Sequence, residues 1–319
     1  MNRPVEVSII CTVYNHEQYL RDCLEGLVSQ KTTFPFEIVV HDDASTDGTA
    51  DIIREYEKKY PELIVPIYQT ENQYSQKRAI YKTFCMPKAS GRFIAFCEGD
   101  DYWTDSQKLQ KQYDYMQAHP DCTLCTCSTE WKDQISGKIS AKGCIQADRD
   151  IPLEEIILEK KGRIFCFVSY FVRREIYDSQ PVWHFPIGDY PLAVHAALNG
   201  TVHMLADSMC VYRYNSVGSW TQRMRGDEQR RIVSDKMIAG MQEIDKTTEG
   251  KYAEVIHERI LTQRYVSALM SHDFSIIRND PELFRMHKER TLLYRFTDHF
   301  RCWMPRLFHQ MNRILKRED

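Results

Sequence analysis

Apolar positions in the first hundred residues follow two alternating rhythms. Val5-Glu6-Val7-Ser8-Ile9-Ile10-Cys11 is rich in β-branched residues and predicts a strand. Asn15 stands as an N-cap with Gln18 three residues on. Leu20, Cys23, Leu24, Leu27 and Val28 then recur at helical spacing, giving one buried stripe. Ile38-Val39-Val40 is the short unbroken apolar run of a strand covered on both faces, and Ile52, Ile53, Tyr56 and Tyr60 repeat helically after it. Ile64-Val65-Pro66-Ile67-Tyr68 predicts a third strand, and its proline cannot donate to a ladder, which puts it at a sheet edge. A helix over 76–89 leads to a fourth strand, Phe93-Ile94-Ala95-Phe96-Cys97.

This β-α-β-α order predicts an α/β fold with a mostly parallel sheet and right-handed crossovers. Ligands in such sheets lie beyond the carboxyl ends of the strands, near a switch in strand order. A helix is expected over 105–118, and mixed structure over 122–215 with strands at 164–172 and 201–213. From Asp227 the pattern turns helical, with one stripe through Val233, Met237, Met241 and Ile244 and another through Tyr252, Val255, Ile256 and Ile260. The division expected is residues 1–225 as one domain and 226–319 as a helical C-terminal region.

Composition narrows the class. Of 319 residues, 43% are hydrophobic and 27% charged, as in a globular protein; Gly at 13 and Pro at 12 exclude collagen-like and most disordered chains. No apolar run reaches the length of a membrane-spanning helix. The net charge of −3 is uneven: residues 285–317 hold nine Lys/Arg and two Asp/Glu, leaving 33 and 43 for the rest. An acidic body argues against a nucleic-acid partner. The basic segment, with Leu292, Leu293, Phe296, Phe300 and Trp303 among its cations, suits an anionic membrane surface, and equally a helix folded on the domain with a solvated basic face. No secretory h-region follows Met1-Asn2-Arg3-Pro4, so the 11 cysteines predict reduced thiols in a cytoplasmic protein. Cys122, Cys125 and Cys127 cluster, but no second pair at zinc spacing accompanies them, and they read as small apolar residues.

Three acidic groups follow apolar strands. Asp42 and Asp43 come after Ile38-Val39-Val40; Glu98, Asp100 and Asp101 come after the fourth strand in Glu98-Gly99-Asp100-Asp101-Tyr102-Trp103; Asp189 lies in Pro186-Ile187-Gly188-Asp189-Tyr190-Pro191. Adjacent carboxylates repel unless a cation sits among them. Mg²⁺ or Mn²⁺ is the economical partner, because a hard ion takes one or two carboxylates and completes its shell with phosphate and water. The alternative is a pair of capped surface turns. Gly-x-Gly-x-x-Gly, Walker, His-Glu-x-x-His and Gly-x-Ser-x-Gly devices are all absent from the sequence.

Val7-Ser8-Ile9-Ile10-Cys11-Thr12-Val13-Tyr14-Asn15, Val39-Val40-His41-Asp42-Asp43-Ala44-Ser45-Thr46-Asp47-Gly48 and Glu98-Gly99-Asp100-Asp101-Tyr102-Trp103 together resemble the family 2 glycosyltransferases of GT-A fold, bacterial enzymes that build surface polysaccharides. The resemblance covers residues 5–120 and continues through Gly188-Asp189-Tyr190-Pro191-Leu192 and Val211-Tyr212-Arg213. It implies a nucleotide-sugar half over about 1–120, an acceptor half over about 121–225, and the helical region with its basic aromatic tail beyond.

It further implies that Thr12 and Tyr14 contact the base and ribose, and that Asp43 reads the base's imide N–H, an edge that uracil and thymine share; a UDP-sugar is the donor expected. Asp101 is the direct metal ligand, with Asp100 shared between metal and nucleotide. Lys77 and Arg78 fall where a basic residue faces the diphosphate. Asp189 matches the catalytic base, here preceded by Gly188 instead of an acid. The implied reaction is inverting, metal-dependent sugar transfer to a glycan or lipid-linked acceptor, by an enzyme in the cytoplasm or peripheral on the inner face of the membrane. Asp189 has a second reading as a helix cap. Tyr102, Trp103 and Trp220 could stack on a sugar or fill the core, and Arg213 could clamp a phosphate or pair with a carboxylate. The rival functions are a nucleotidyltransferase, which would carry a Gly-rich basic loop after the first strand, and a non-catalytic nucleotide-sugar-binding scaffold.

Overall fold

The computed structural model describes residues 4–160, 164–216, 219, 222, 224, 226–305, 307, 308 and 311. The chain divides into two units, Met1–Pro181 with Leu192–Val217, and Val182–Pro191 with Gly218–Asp319.

The first unit is built on a ten-stranded sheet flanked by helices. Strands β1 (Val7–Val13), β2 (Phe36–Asp42), β3 (Ile64–Tyr68) and β4 (Phe93–Phe96) are parallel, in the order β3-β2-β1-β4. Helices α1 (Leu20–Val28) and α2 (Thr49–Lys59) make the first two crossovers. Both bury apolar stripes, Leu20, Cys23, Leu24 and Leu27 on the first and Ile52, Ile53 and Tyr56 on the second. As Pro66 requires, β3 is the edge strand. The chain leaves β1 in one direction through β2 and β3, then returns to lay β4 on the other side of β1, so the switch in strand order lies at the β1–β4 pair.

The remaining strands are β5 (Tyr102–Trp103), β6 (Cys122–Asp133), β7 (Ile139–Gly143), β8 (Arg149–Asp150), β9 (Phe171–Arg173) and β10 (Thr201–Tyr214). They extend the sheet as β4-β9-β6-β10-β5, with β7 on β6 and β8 on β10. Helix α3 (Lys108–Ala118) packs on β6, and α4 (Leu153–Leu158) and α5 (Arg174–Asp178) are short. Cys122, Cys125 and Cys127 lie buried in β6 as free thiols, with Cys127 Sγ 3.6 Å from Cys210 Sγ. Burial pushes the Cys122 thiol up to about 12 and Cys125 well above the usual range, so these are core residues.

Three local expectations change. Asn15 does not cap α1, which starts at Leu20 without a side-chain cap bond. Asn15 instead adopts φ 54° and its amide oxygen accepts from Thr46 N at 2.8 Å, tying the loops after β1 and β2 together. The helix over 76–89 shrinks to a π-turn, Tyr81–Cys85. Lys77 at φ 59° precedes it, and Pro87 follows without an N–H to continue it. The strand over 164–172 is a 3₁₀ turn, Phe167–Ser169, followed by the three residues of β9, which fit between β4 and β6.

The second unit is helical: α7 (Asp227–Thr247) packs on α8 (Ala253–Met270), followed by α9 (Phe274–Asn279), α10 (Pro281–Glu289) and α11 (Leu292–Trp303). Asp280 caps α10 by accepting from Glu282 N and Leu283 N, with Pro281 at the first turn. Tyr265, Leu269, Ile277 and Leu283 form its core beside α11. Helix α6 (Asp189–Asn199) starts in this unit and its later residues belong to the first. Among the described residues no helix is long and apolar enough to cross a membrane.

Gly91, just before β4, marks a close backbone approach. A Cβ there would stand 2.4 Å from Ser8 N and 2.7 Å from Val7 C, neither of which can yield without moving β1. Gly91→Ala is therefore expected to lower stability by about 1–3 kcal/mol, read as a lower urea midpoint with an unchanged slope.

Candidate functional site

The site grows from the carboxyl end of β1. Asp43 N donates to Val13 O at 3.0 Å, and Gly99 N donates to Thr12 O at 3.0 Å. The loops that follow β2 and β4 are thus pinned to successive carbonyls of one central strand. Gly99 has no room for a side chain: a Cβ would lie 2.4 Å from Val13 Cγ1 and 2.9 Å from His16 Nδ1.

On the β2 side, Asp43 is buried and its two carboxylate oxygens accept from Gln73 N at 2.8 Å and Tyr74 N at 2.9 Å. Asn72 Nδ2 donates to Asp43 O at 3.1 Å, so this acid shapes the 72–74 loop. Lys77 and Arg78 lie just beyond that loop, exposed. Thr12 Oγ1 is 3.1 Å from Tyr81 OH, and Tyr14 is 45% exposed.

On the β4 side, Glu98, Asp100 and Asp101 each offer an oxygen within 4.8 Å of the others. Asp101 N donates to Glu98 O at 2.9 Å, closing the turn, and Tyr81 OH donates to Glu98 Oε1 at 3.4 Å. Asp101 is 2% exposed; burial first, then the charge of Asp100, push its carboxyl well above the usual carboxylate range, against a lowering bond from Arg213 N. That bond is 2.7 Å, to Asp101 Oδ1. It forms because β5 pairs antiparallel with β10, Tyr102 opposite Val211 and Trp103 opposite Cys210, which brings the end of β10 behind the acidic turn.

Arg213 braces the turn. Its guanidinium donates to Asp100 O at 3.0 Å, pairs with Asp22 of α1, and lies 4.2 Å over the Tyr102 ring. It is itself buried and engaged with these partners, the carboxylate pairing being one of the two roles expected of it. Trp103 takes the core-filling one of its two expected roles. It is 3% exposed, its Nε1 donates to Val168 O at 3.0 Å, and Lys108 Nζ lies 4.0 Å from its ring centre, so no ring face is left for a sugar. Trp220 lies outside the described residues. Asp189 opens α6, where its Oδ1 accepts from Tyr190 N at 2.9 Å, and it belongs to the second unit.

Asp22 and Tyr81 are members of this arrangement that sequence reasoning missed. Asp22 had one weak signal, an acid in the first turn of a helix; its partner is 191 positions away. The donor set itself fits a hard divalent cation. Three carboxylates converge, one of them desolvated, while the nearby guanidinium serves Asp22 and a backbone carbonyl.

Residues 8–180 match the family profile described as Glycosyl transferase family 2. The uncharacterized protein Rv1520 of Mycobacterium tuberculosis is 36% identical over 218 residues, which are 67% of this chain; the chain spans 60% of the length of that relative. Among solved structures, S. aureus TarS 1–349 in complex with UDP-GlcNAc matches with a TM-score of 0.57 at 18% identity, covering 93% of this chain and 79% of that one. The mannosyltransferase PcManGT from Pyrobaculum calidifontis, in complex with GDP-Man and Mn²⁺, matches with a TM-score of 0.58 at 14% identity, covering 97% and 85%. With its acidic turns on the switch-point rim of a GT-A sheet, the chain belongs to glycosyl transferase family 2.

Proposed function

We propose that the chain transfers a sugar from a nucleotide-diphosphate donor, a UDP-sugar, to a hydroxyl of a glycan or lipid-linked acceptor in the synthesis of cell-surface polysaccharide. The transfer depends on Mn²⁺ or Mg²⁺ and inverts the anomeric centre. The observation that carries this reading is the convergence of Glu98, Asp100 and Asp101 on the same strand end that anchors Asp43. The UDP-GlcNAc bound by TarS and the GDP-Man and Mn²⁺ bound by PcManGT support it.

In this reading Asp101 and Asp100 hold the cation, with Glu98 beside them. The bound ion supplies the positive charge that lets a diphosphate leave. Thr12 and Tyr14 take the ribose and base. Asp43 accepts the imide N–H of uracil with lone pairs left over from Gln73 N and Tyr74 N, since each carboxylate oxygen carries two. Lys77 and Arg78 face the diphosphate. Arg213 acts on none of these groups directly; it keeps the carboxylates of the turn in register. Transfer through an oxocarbenium-like state needs only partial deprotonation of the acceptor hydroxyl, and Asp189 takes that proton from the face opposite the diphosphate. A lipid-linked acceptor sets the reaction at the cytoplasmic face of a membrane, with segment 285–317 as the element directed to it.

Thermal shift tests the site. A ligand that binds only the folded state adds about 2.7 kcal/mol of stability at one hundred times its Kd. UDP with Mn²⁺ or Mg²⁺ is expected to raise Tm, EDTA to reverse the shift, and Asp101→Asn to abolish it; an equal shift without metal overturns the metal-dependent reading. Arg213→Gln is expected to cost about 1.5–3 kcal/mol of stability and to weaken the metal-dependent shift, since charged hydrogen bonds of this size hold the turn. Over a panel of UDP-sugars, turnover read as released UDP should fall at least about 100-fold in Asp189→Asn while the UDP–metal shift persists. Release of pyrophosphate instead would identify a nucleotidyl transfer.

A further inference from the structure

Helix α11 is turned inside out. Its buried residue is an acid, Asp298, at 6% exposure. Asp298 Oδ2 accepts from Tyr265 OH at 2.7 Å and pairs with Arg290 Nε at 3.0 Å. Tyr265 OH also lies 2.7 Å from His287 Nδ1, and Arg301, one turn beyond Asp298, pairs with Asp227. This polar latch ties α11 to α7, α8 and α10 and fixes its roll. At about 100° per residue, Leu292, Leu293, Phe296, Phe300 and Trp303 share one sector, and Asp298 points the opposite way. Leu292, Leu293, Phe296 and Trp303 are 79%, 71%, 68% and 82% exposed. An apolar stripe of this kind marks an interaction surface.

Charge selects the occupant. Residues 285–317 hold nine Lys/Arg and two Asp/Glu, and one of the two acids is Asp298, buried against Arg290. A second copy of the chain would bring like charge against like. A layer of anionic phospholipid brings opposite charge at the headgroups and an apolar phase for Leu, Phe and Trp beneath them. We propose that α11 lies in the surface of an anionic phospholipid membrane, with Leu292, Leu293, Phe296 and Trp303 at the boundary of headgroups and acyl chains. This deepens the acceptor side of the reading above, since a lipid-linked acceptor lies in such a membrane. Lipid binding is measured without sugar transfer, so either conclusion can fail alone.

The test is flotation of the full chain with vesicles of phosphatidylcholine, and of phosphatidylcholine with phosphatidylglycerol at about 7:3. The protein is expected to float with the anionic vesicles only, and less as salt rises. Leu293→Glu with Phe296→Glu should lower the bound fraction at least about tenfold. Both side chains are exposed, so the double variant should keep the wild-type Tm and the UDP–metal shift; these controls separate loss of docking from loss of fold. No flotation, or equal flotation with neutral vesicles, overturns the proposal. So does a dimer in sedimentation that the double variant dissociates while vesicles leave the protein unbound.

Discussion

Two backbone hydrogen bonds, Asp43 N to Val13 O and Gly99 N to Thr12 O, fix the geometry on which everything at the β1 rim depends. Both acceptors sit on the strand that has a parallel neighbour on each side, so they are among the least mobile groups of the sheet. Loops anchored there inherit that rigidity. The cost is electrostatic: three carboxylates are held within a few ångströms, and Asp101 has been withdrawn from water. The fold offsets part of that cost with the N–H of Arg213 on Asp101 and the hydroxyl of Tyr81 on Glu98. A cation placed among the three carboxylates would offset the repulsion between them.

Arg213 shows how the distal half of the first unit serves the proximal half. It comes from β10, and the two residues of β5 are the only ladder joining that strand's end to the acidic turn in the described sheet. Its guanidinium reaches across to α1 through Asp22, so the turn is gripped from the sheet and from the first crossover helix together. A lysine could supply the charge but not the planar fork that meets a carbonyl and a carboxylate at once.

The first four strands, the edge position of β3 and the placing of acids at strand ends were legible in the sequence. They depend on local patterns: apolar runs, a proline, and the order of strands and helices. Trp103 shows where that legibility stopped. Tyr102 and Trp103 stand side by side next to the acids in the sequence, but in a strand adjacent side chains face opposite ways, so Tyr102 meets Arg213 while Trp103 enters the core under Lys108. The Asp22–Arg213 pair left no trace because its members are far apart in the chain and neither belongs to a periodic pattern. The helix over 76–89 failed for the reverse reason: residues 81–85 do turn helically, but a left-handed residue before them and a proline after them confine the turn.

The C-terminal helix poses a conflict that pattern alone could not settle. Its apolar and aromatic residues stand among cations in the sequence, and burying them would be the default outcome in water, since each Leu, Phe or Trp gains about 1.5–3 kcal/mol on full burial. Turning four such side chains outward therefore forgoes about 6–12 kcal/mol. The latch at Asp298 offsets part of that through the Tyr265 hydroxyl bond and the ion pair with Arg290. The observed roll thus leaves the stripe's apolar surface in water, and a second, apolar phase that receives those side chains would recover that energy, which is the physical sense of a helix that buries its acid and displays its tryptophan.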